Sequence, residues 1–207
     1  MLHSFKAFPA AAALALSAVA ADAATIAQGG TQATGAVLPA GDTAFVLQSG
    51  HQVVQVSNPA YSLAATTPAS NWVWDASQQA NPITFLFTFT LSGWQVASAS
   101  LSGLWGVDNF GEVRLNGHKI GELQDYTMNN FITLHAFGTS SYFQSGTNVL
   151  SFDLRNETAK EQGPAAFRAS VAVDVAAVPL PAAAPLLGGA LAAFGALALR
   201  RKRAARA

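Results

Sequence analysis

The 207-residue chain contains no cysteine, which excludes a disulfide framework, a thiolate zinc site, an iron–sulfur cluster and a cysteine nucleophile. Charge is scarce as well, 11% of residues against 51% hydrophobic, a low content for a soluble domain. The zero net charge is a cancellation between regions. Residues 24–177 hold five bases and ten acids, residues 178–207 hold five bases and no acid, and residues 1–23 hold only Lys6 and Asp22. An acidic middle argues against a nucleic-acid partner, which calls for a basic surface. There is no phosphate-cradling glycine motif, no Gly-x-Ser-x-Gly elbow and no histidine pair at zinc-ligand spacing; His51, His118 and His135 fall in unrelated segments.

The apolar excess sits largely at the two ends, and both ends read as sorting signals. Lys6 precedes an alanine- and leucine-rich run over 10–20, followed by the small-x-small sites Ala18-Val19-Ala20 and Ala21-Asp22-Ala23. This predicts a secretory signal peptide over 1–23, cleaved after Ala23. Near the other end, 182–199 is uncharged and carries Leu186, Leu187, Leu191, Phe194, Leu197 and Leu199. As a helix it would reach roughly 27 Å, enough to cross the hydrocarbon core of a bilayer. The basic tail 200–207 follows, with Arg200, Arg201, Lys202, Arg203 and Arg206, a cluster that stays cytoplasmic by the positive-inside rule. Plainer readings are an alanine-rich core helix at the start, and a buried helix with a solvated tail at the end.

Between domain and helix stands Val178-Pro179-Leu180-Pro181-Ala182, where the prolines fix an extended segment of the shape a processing enzyme binds. The order of proline motif, short apolar helix and arginine cluster over 178–207 resembles the PEP-CTERM class of sorting signals in its VPLPA variant. That resemblance implies export in a Gram-negative bacterium, a transient stay in the inner membrane, handling by an exosortase-type enzyme, and delivery to the cell surface or matrix alongside exopolysaccharide. It is an address and names no activity.

The middle reads as an all-β domain over 43–177, after a loose lead-in, 24–42, rich in Gly, Ala and Thr. In 83–91, Ile83, Phe85, Phe87, Phe89 and Leu91 alternate with Thr84, Leu86, Thr88 and Thr90, the period of a half-buried strand. Further β-rich runs are 43–48, 52–56, 94–105, 131–136, 148–154 and 167–175, separated by turn-forming clusters. Short strands at this spacing predict an antiparallel sandwich or jelly roll. Asn116-Gly117 suits a type I′ turn. A two-residue loop there pairs Leu115 with His118, Arg114 with Lys119 and Val113 with Ile120, which puts Val113, Leu115 and Ile120 on the core face. Arg114 and Lys119 then stand side by side and call for an acid nearby, Glu112 or another of the domain's ten, or for an anionic ligand.

Trp72-Val73-Trp74, Leu101-Ser102-Gly103-Leu104-Trp105-Gly106-Val107-Asp108-Asn109, Val113-Arg114-Leu115-Asn116-Gly117 and Gly146-Thr147-Asn148-Val149-Leu150-Ser151-Phe152 follow one another over about 100 residues. Their order resembles the galactose-binding-like jelly rolls that accompany glycosidases and occur alone in many PEP-CTERM proteins. The pattern departs from that family at 156–163, where the loop is longer and charged, and at Phe167, where an aliphatic residue is usual.

A sugar binder needs exposed aromatic faces for pyranose rings and amides or carboxylates for hydroxyls. The candidates are Trp72, Trp74, Trp105, Asp108, Asn109, Arg114 and Lys119. Core packing is the competing reading for Trp74 and Trp105, while Trp94 reads as a surface cap on a strand end. No cofactor is required. Asp108 and Asn109 offer oxygen ligands to Ca²⁺, a frequent companion of the resembled fold, although turn side chains bonding their own backbone explain them more simply. The first reading is a non-catalytic exported protein contacting exopolysaccharide. The alternatives are a structural or adhesive protein that binds proteins and no sugar, and a small glycan-active enzyme using two of the ten acids.

Overall fold

A computed structural model describes residues 23–77, 82–124, 130–156, 165–176, 190 and 194–195. The expected signal peptide, the Val178–Ala182 motif, almost all of 182–199 and the basic tail lie outside them. Among the described residues no helix is long and apolar enough to cross a membrane.

The described residues form eleven strands, β1 (Ala24–Gly30), β2 (Val46–Leu47), β3 (Val53–Gln55), β4 (Val73–Asp75), β5 (Ile83–Leu91), β6 (Ser100–Asp108), β7 (Phe110–Leu115), β8 (His118–Leu123), β9 (His135–Thr139), β10 (Gly146–Arg155) and β11 (Ala166–Val175). They form the expected antiparallel two-sheet sandwich. One sheet has the order β3-β4-β11-β6-β9, with β1 also pairing β11; the other has the order β2-β5-β10-β7-β8.

The alternation in β5 holds along its length: Ile83, Phe85, Phe87, Phe89 and Leu91 are buried between the sheets. They meet Leu150, Phe152 and Leu154 of β10 and Phe167, Val171 and Val173 of β11 in one core. Phe152 sits at its centre, with the rings of Phe45, Trp105, Phe137 and Phe167 at 4.9–5.9 Å. Aromatic rings at these separations and tilts add to plain burial. The aromatic Phe167, unusual for the resembled family, is accommodated among these rings.

Four expectations need correction. The lead-in 24–42 is not loose: β1 runs antiparallel to β11 from Ala24 opposite Val175 to Gly30 opposite Ser170. Its glycines misread as flexibility. A Cβ on Gly29 would stand 2.2 Å from the Thr43 carbonyl oxygen, and one on Gly30 would stand 2.1 Å from that of Ala69, so only glycine permits the approach. The run 94–105 begins with a turn, because Gln95 bonds the Ser92 backbone through its side chain (2.6 Å) and its own N–H (2.9 Å). A short 3₁₀ turn, Val96–Ser98, follows before β6. The run 131–136 is displaced: the strand is His135–Thr139, while the ring of Phe131 packs edge-on to Tyr61 at 5.9 Å.

The fourth concerns the hairpin. Asn116 and Gly117 take the positive φ expected, 49° and 84°, and Leu115 faces His118 and Arg114 faces Lys119. The register then shifts, so Val113 faces Gly121 and Ile120 is the extra residue. A bulge therefore leaves Ile120 packed at the edge of the core and only partly buried.

Candidate functional site

The four tryptophans occupy three environments. Trp105 is core, 1% exposed. Trp74 is also buried in the main core. Trp72 is 5% exposed and packs against Tyr61 with ring centroids 4.7 Å apart and planes tilted by 31°, while its indole N–H donates to the Ser62 carbonyl at 2.9 Å. A Cβ on Gly106 would come within 2.8 Å of the Trp72 ring, so that glycine of β6 makes room for it. Trp72 and Trp74 are thus not exposed sugar platforms: Trp72 packs with Tyr61 and bonds the Ser62 backbone, and Trp74 belongs to the main core. Trp94 is the exposed tryptophan, at 59%.

Asp108 and Asn109 join β6 to β7 and serve the fold. The Tyr61 hydroxyl donates to Asp108 Oδ2 at 3.1 Å within buried surroundings. Burial pushes the Asp108 pKa up, against the opposing effect of that hydrogen bond. Burial, then the Asp108 charge, raises that of Tyr61. The Asn109 carbonyl accepts from Asn130 Nδ2 at 2.7 Å. Among the described residues no group of three or more His, Asp or Glu is placed to hold a metal.

Arg114 and Lys119 lie on the outer face of the β5–β10–β7–β8 sheet, and acids answer both. Arg114 donates to Glu112 through Nε (2.9 Å) and Nη2 (2.5 Å) and stands 3.7 Å from Asp153. Lys119 Nζ is 2.9 Å from Glu122. The acids come from the next register row: Thr84 faces Asp153, Asp153 faces Glu112, and Glu112 faces Glu122. The Thr84 hydroxyl donates to Asp153 at 2.7 Å. In the following row Arg155 faces Phe110.

A groove of about 710 Å³ lies over these rows, lined by Thr84, Asp153, Glu112 and Glu122 with Phe110, Gln124 and Arg155. Positive, negative and positive rows follow one another across the sheet face. Of the residues singled out from sequence none lines this groove; Arg114 and Lys119 bond its lining acids Glu112 and Glu122, whereas Trp72, Trp74, Trp105, Asp108 and Asn109 lie elsewhere. Of the groove residues the sequence points to Glu112 alone, as an acid beside Arg114 and Lys119. Glu112 and Glu122 are readable as neighbours once the hairpin is placed, but Thr84 and Asp153 meet only through the pairing of β5 with β10, 69 residues apart.

No family model and no curated protein match the chain. Among solved structures it is similar to a family 35 carbohydrate-binding module from an environmental isolate, with 14% identity, 65% of this chain and 98% of that one covered, and a TM-score of 0.35. It is similar to a family 35 carbohydrate-binding module from Clostridium thermocellum, with 11% identity, coverage of 61% and 90%, and a TM-score of 0.35. A third is the carbohydrate-binding module CBM36 in complex with calcium and xylotriose, with 11% identity, coverage of 63% and 96%, and a TM-score of 0.32. Likenesses at this level assign neither ligand nor residue roles.

Proposed function

We propose that the chain is an exported, non-catalytic protein whose sandwich, of galactose-binding-like jelly-roll type, binds exopolysaccharide through the groove on the β5–β10–β7–β8 sheet. The groove carries this reading. A sugar hydroxyl both donates and accepts, so it suits a surface where carboxylates, a guanidinium and an amide alternate within one row spacing of each other. Four strands at about 4.8 Å spacing give a polar row roughly 14 Å long, enough for a short oligosaccharide. Phe110 supplies an apolar wall for a ring face.

Glycoside hydrolysis needs two carboxyl groups on either side of the scissile bond. Here Asp153, Glu112 and Glu122 stand in one row on one sheet face, engaged by Thr84, Arg114 and Lys119. That arrangement favours holding a glycan over cutting it. The sequence signals support the rest: a leader over 1–23, and a tail over 178–207 that an exosortase-type enzyme removes while the inner membrane holds the chain.

The test is affinity electrophoresis of the full chain through gels containing the host's exopolysaccharide. A shallow groove predicts a Kd on the order of 10⁻⁴ M. Asp153→Asn should weaken it by about tenfold, the loss of one charged hydrogen bond. No retardation of the folded protein gives the case to a protein-binding adhesive role.

A further inference from the structure

The outer face of the β11 sheet buries a positive charge that has no ion-pair partner among the described residues. Phe167 and Ala169 point into the core, so Arg168 between them points the other way, beneath the chain around 62–70. Arg168 is 7% exposed. It donates through Nε to the Ser70 hydroxyl and through Nη1 and Nη2 to the carbonyls of Ser62 and Ala64, each at 2.9 Å. All three acceptors are neutral. Among the described residues no carboxylate forms an ion pair with it, and burial lowers its pKa with no acid opposing the shift.

A guanidinium has five N–H groups, and these bonds use three. The remaining capacity matters because Arg168 also lines an open cleft of about 240 Å³ with Ser57, Asn58, Asn71 and the edge of Trp72. That volume is below the range of sites for drug-sized ligands, so the occupant is small. Neutral carbonyls offset a buried cation only in part, whereas an anion restores the missing charge and matches the planar guanidinium with two oxygens.

We propose that this cleft is an anion site in which Arg168 receives the carboxylate of a small ligand. It lies on the opposite sheet from the proposed glycan groove and stands or falls independently of it. The carboxylate has two sources, a free organic acid or the acid group of a sugar unit, and the probes separate them.

The full chain, labelled with ¹⁵N arginine, is titrated at constant ionic strength with sodium acetate, sodium glucuronate and glucose, following the Arg168 Nε–H resonance. Both anions should saturate at millimolar concentrations, with glucose at least about tenfold weaker for want of the charge. Acetate and glucuronate of equal strength identify a free-acid site; glucuronate tighter by about tenfold identifies an acidic sugar, its ring adding contacts. Arg168→Lys, which lacks this resonance and is followed by isothermal titration calorimetry beside the parent, should weaken both anions by about tenfold, because the fork geometry is lost. Ser57 is exposed at the rim, so Ser57→Glu should repel both anions without altering the denaturation midpoint, which keeps the test clear of unfolding. Glucuronate and acetate failing to move Arg168, glucose binding as well as they do, or Ser57→Glu leaving their affinities unchanged would each overturn the proposal. Glu112→Gln in the groove should have no effect on this titration.

Discussion

At Trp105 the indole fills the space between Phe137 and Phe152, at ring distances of 6.4 and 5.5 Å. Trp105→Ala should therefore cost about 3–5 kcal/mol, while Trp94→Ala, at an exposed site, should stay within about 0.5 kcal/mol; urea denaturation of both variants checks this. Two buried acids give opposite pH signatures. The raised pKa of Asp108 means its native form prefers a proton, so its contribution is present at acid pH and is lost as pH rises through the native pKa. For Asp75, burial would raise the pKa, but hydrogen bonds from His51 and Ser77 outweigh it and the net shift is down. Its contribution is present at neutral pH and is lost as pH falls through the native value. Denaturation midpoints should accordingly show Asp108→Asn gaining on the parent as pH rises above about 4, and the deficit of Asp75→Asn closing as pH falls below about 4. A parallel pair of curves contradicts the assignment. At this scale Trp105 was readable as core from its place in an apolar run, but the burial of Trp72 was not, because it depends on a covering segment that no local pattern announces.

Among the elements, β5 declared itself through strict alternation, and the β7–β8 turn through Asn116-Gly117. The structure adds that Asn116 ties this turn to its neighbours. Its amide donates to the Tyr142 carbonyl (2.8 Å) and to Asn148 Oδ1 (2.9 Å), and its Oδ1 accepts the Val149 N–H (2.9 Å). Asn116→Ala should cost about 2–4 kcal/mol, more than a turn preference alone, since it strands these partners. Calorimetric unfolding of that variant beside Asn116→Asp, which keeps the acceptor oxygen, separates the two contributions. β1 was illegible for the opposite reason: its defining residues are glycines, whose role is set by what comes close to them. Gly30→Ala should destabilise by about 1–3 kcal/mol through forced displacement of the Ala69 backbone, read by the same calorimetry. The bulge at Ile120 was equally hidden, since turn length fixes the register only up to the first irregularity.

For the whole molecule, the sandwich class was written in strand spacing, but the groove was not, because it is made by register between distant strands. Thr84, Asp153, Glu112 and Glu122 come from four strands and become one row only after the β5–β10–β7–β8 sheet has formed. The export signals predict that mature surface material lacks 183–207; intact mass spectrometry finding those residues still attached would leave a membrane anchor without processing. The central claim, that this sheet face holds a glycan, is tested most directly by carbodiimide footprinting of carboxylates in the full chain with and without the host's exopolysaccharide. Glu112, Glu122 and Asp153 should lose labelling when the polymer is present, while Asp42 and Asp174, which bond to Gln28 and Thr25 of β1, should label unchanged. Protection at Asp42 and Asp174 instead, or at none of the five, would contradict the account.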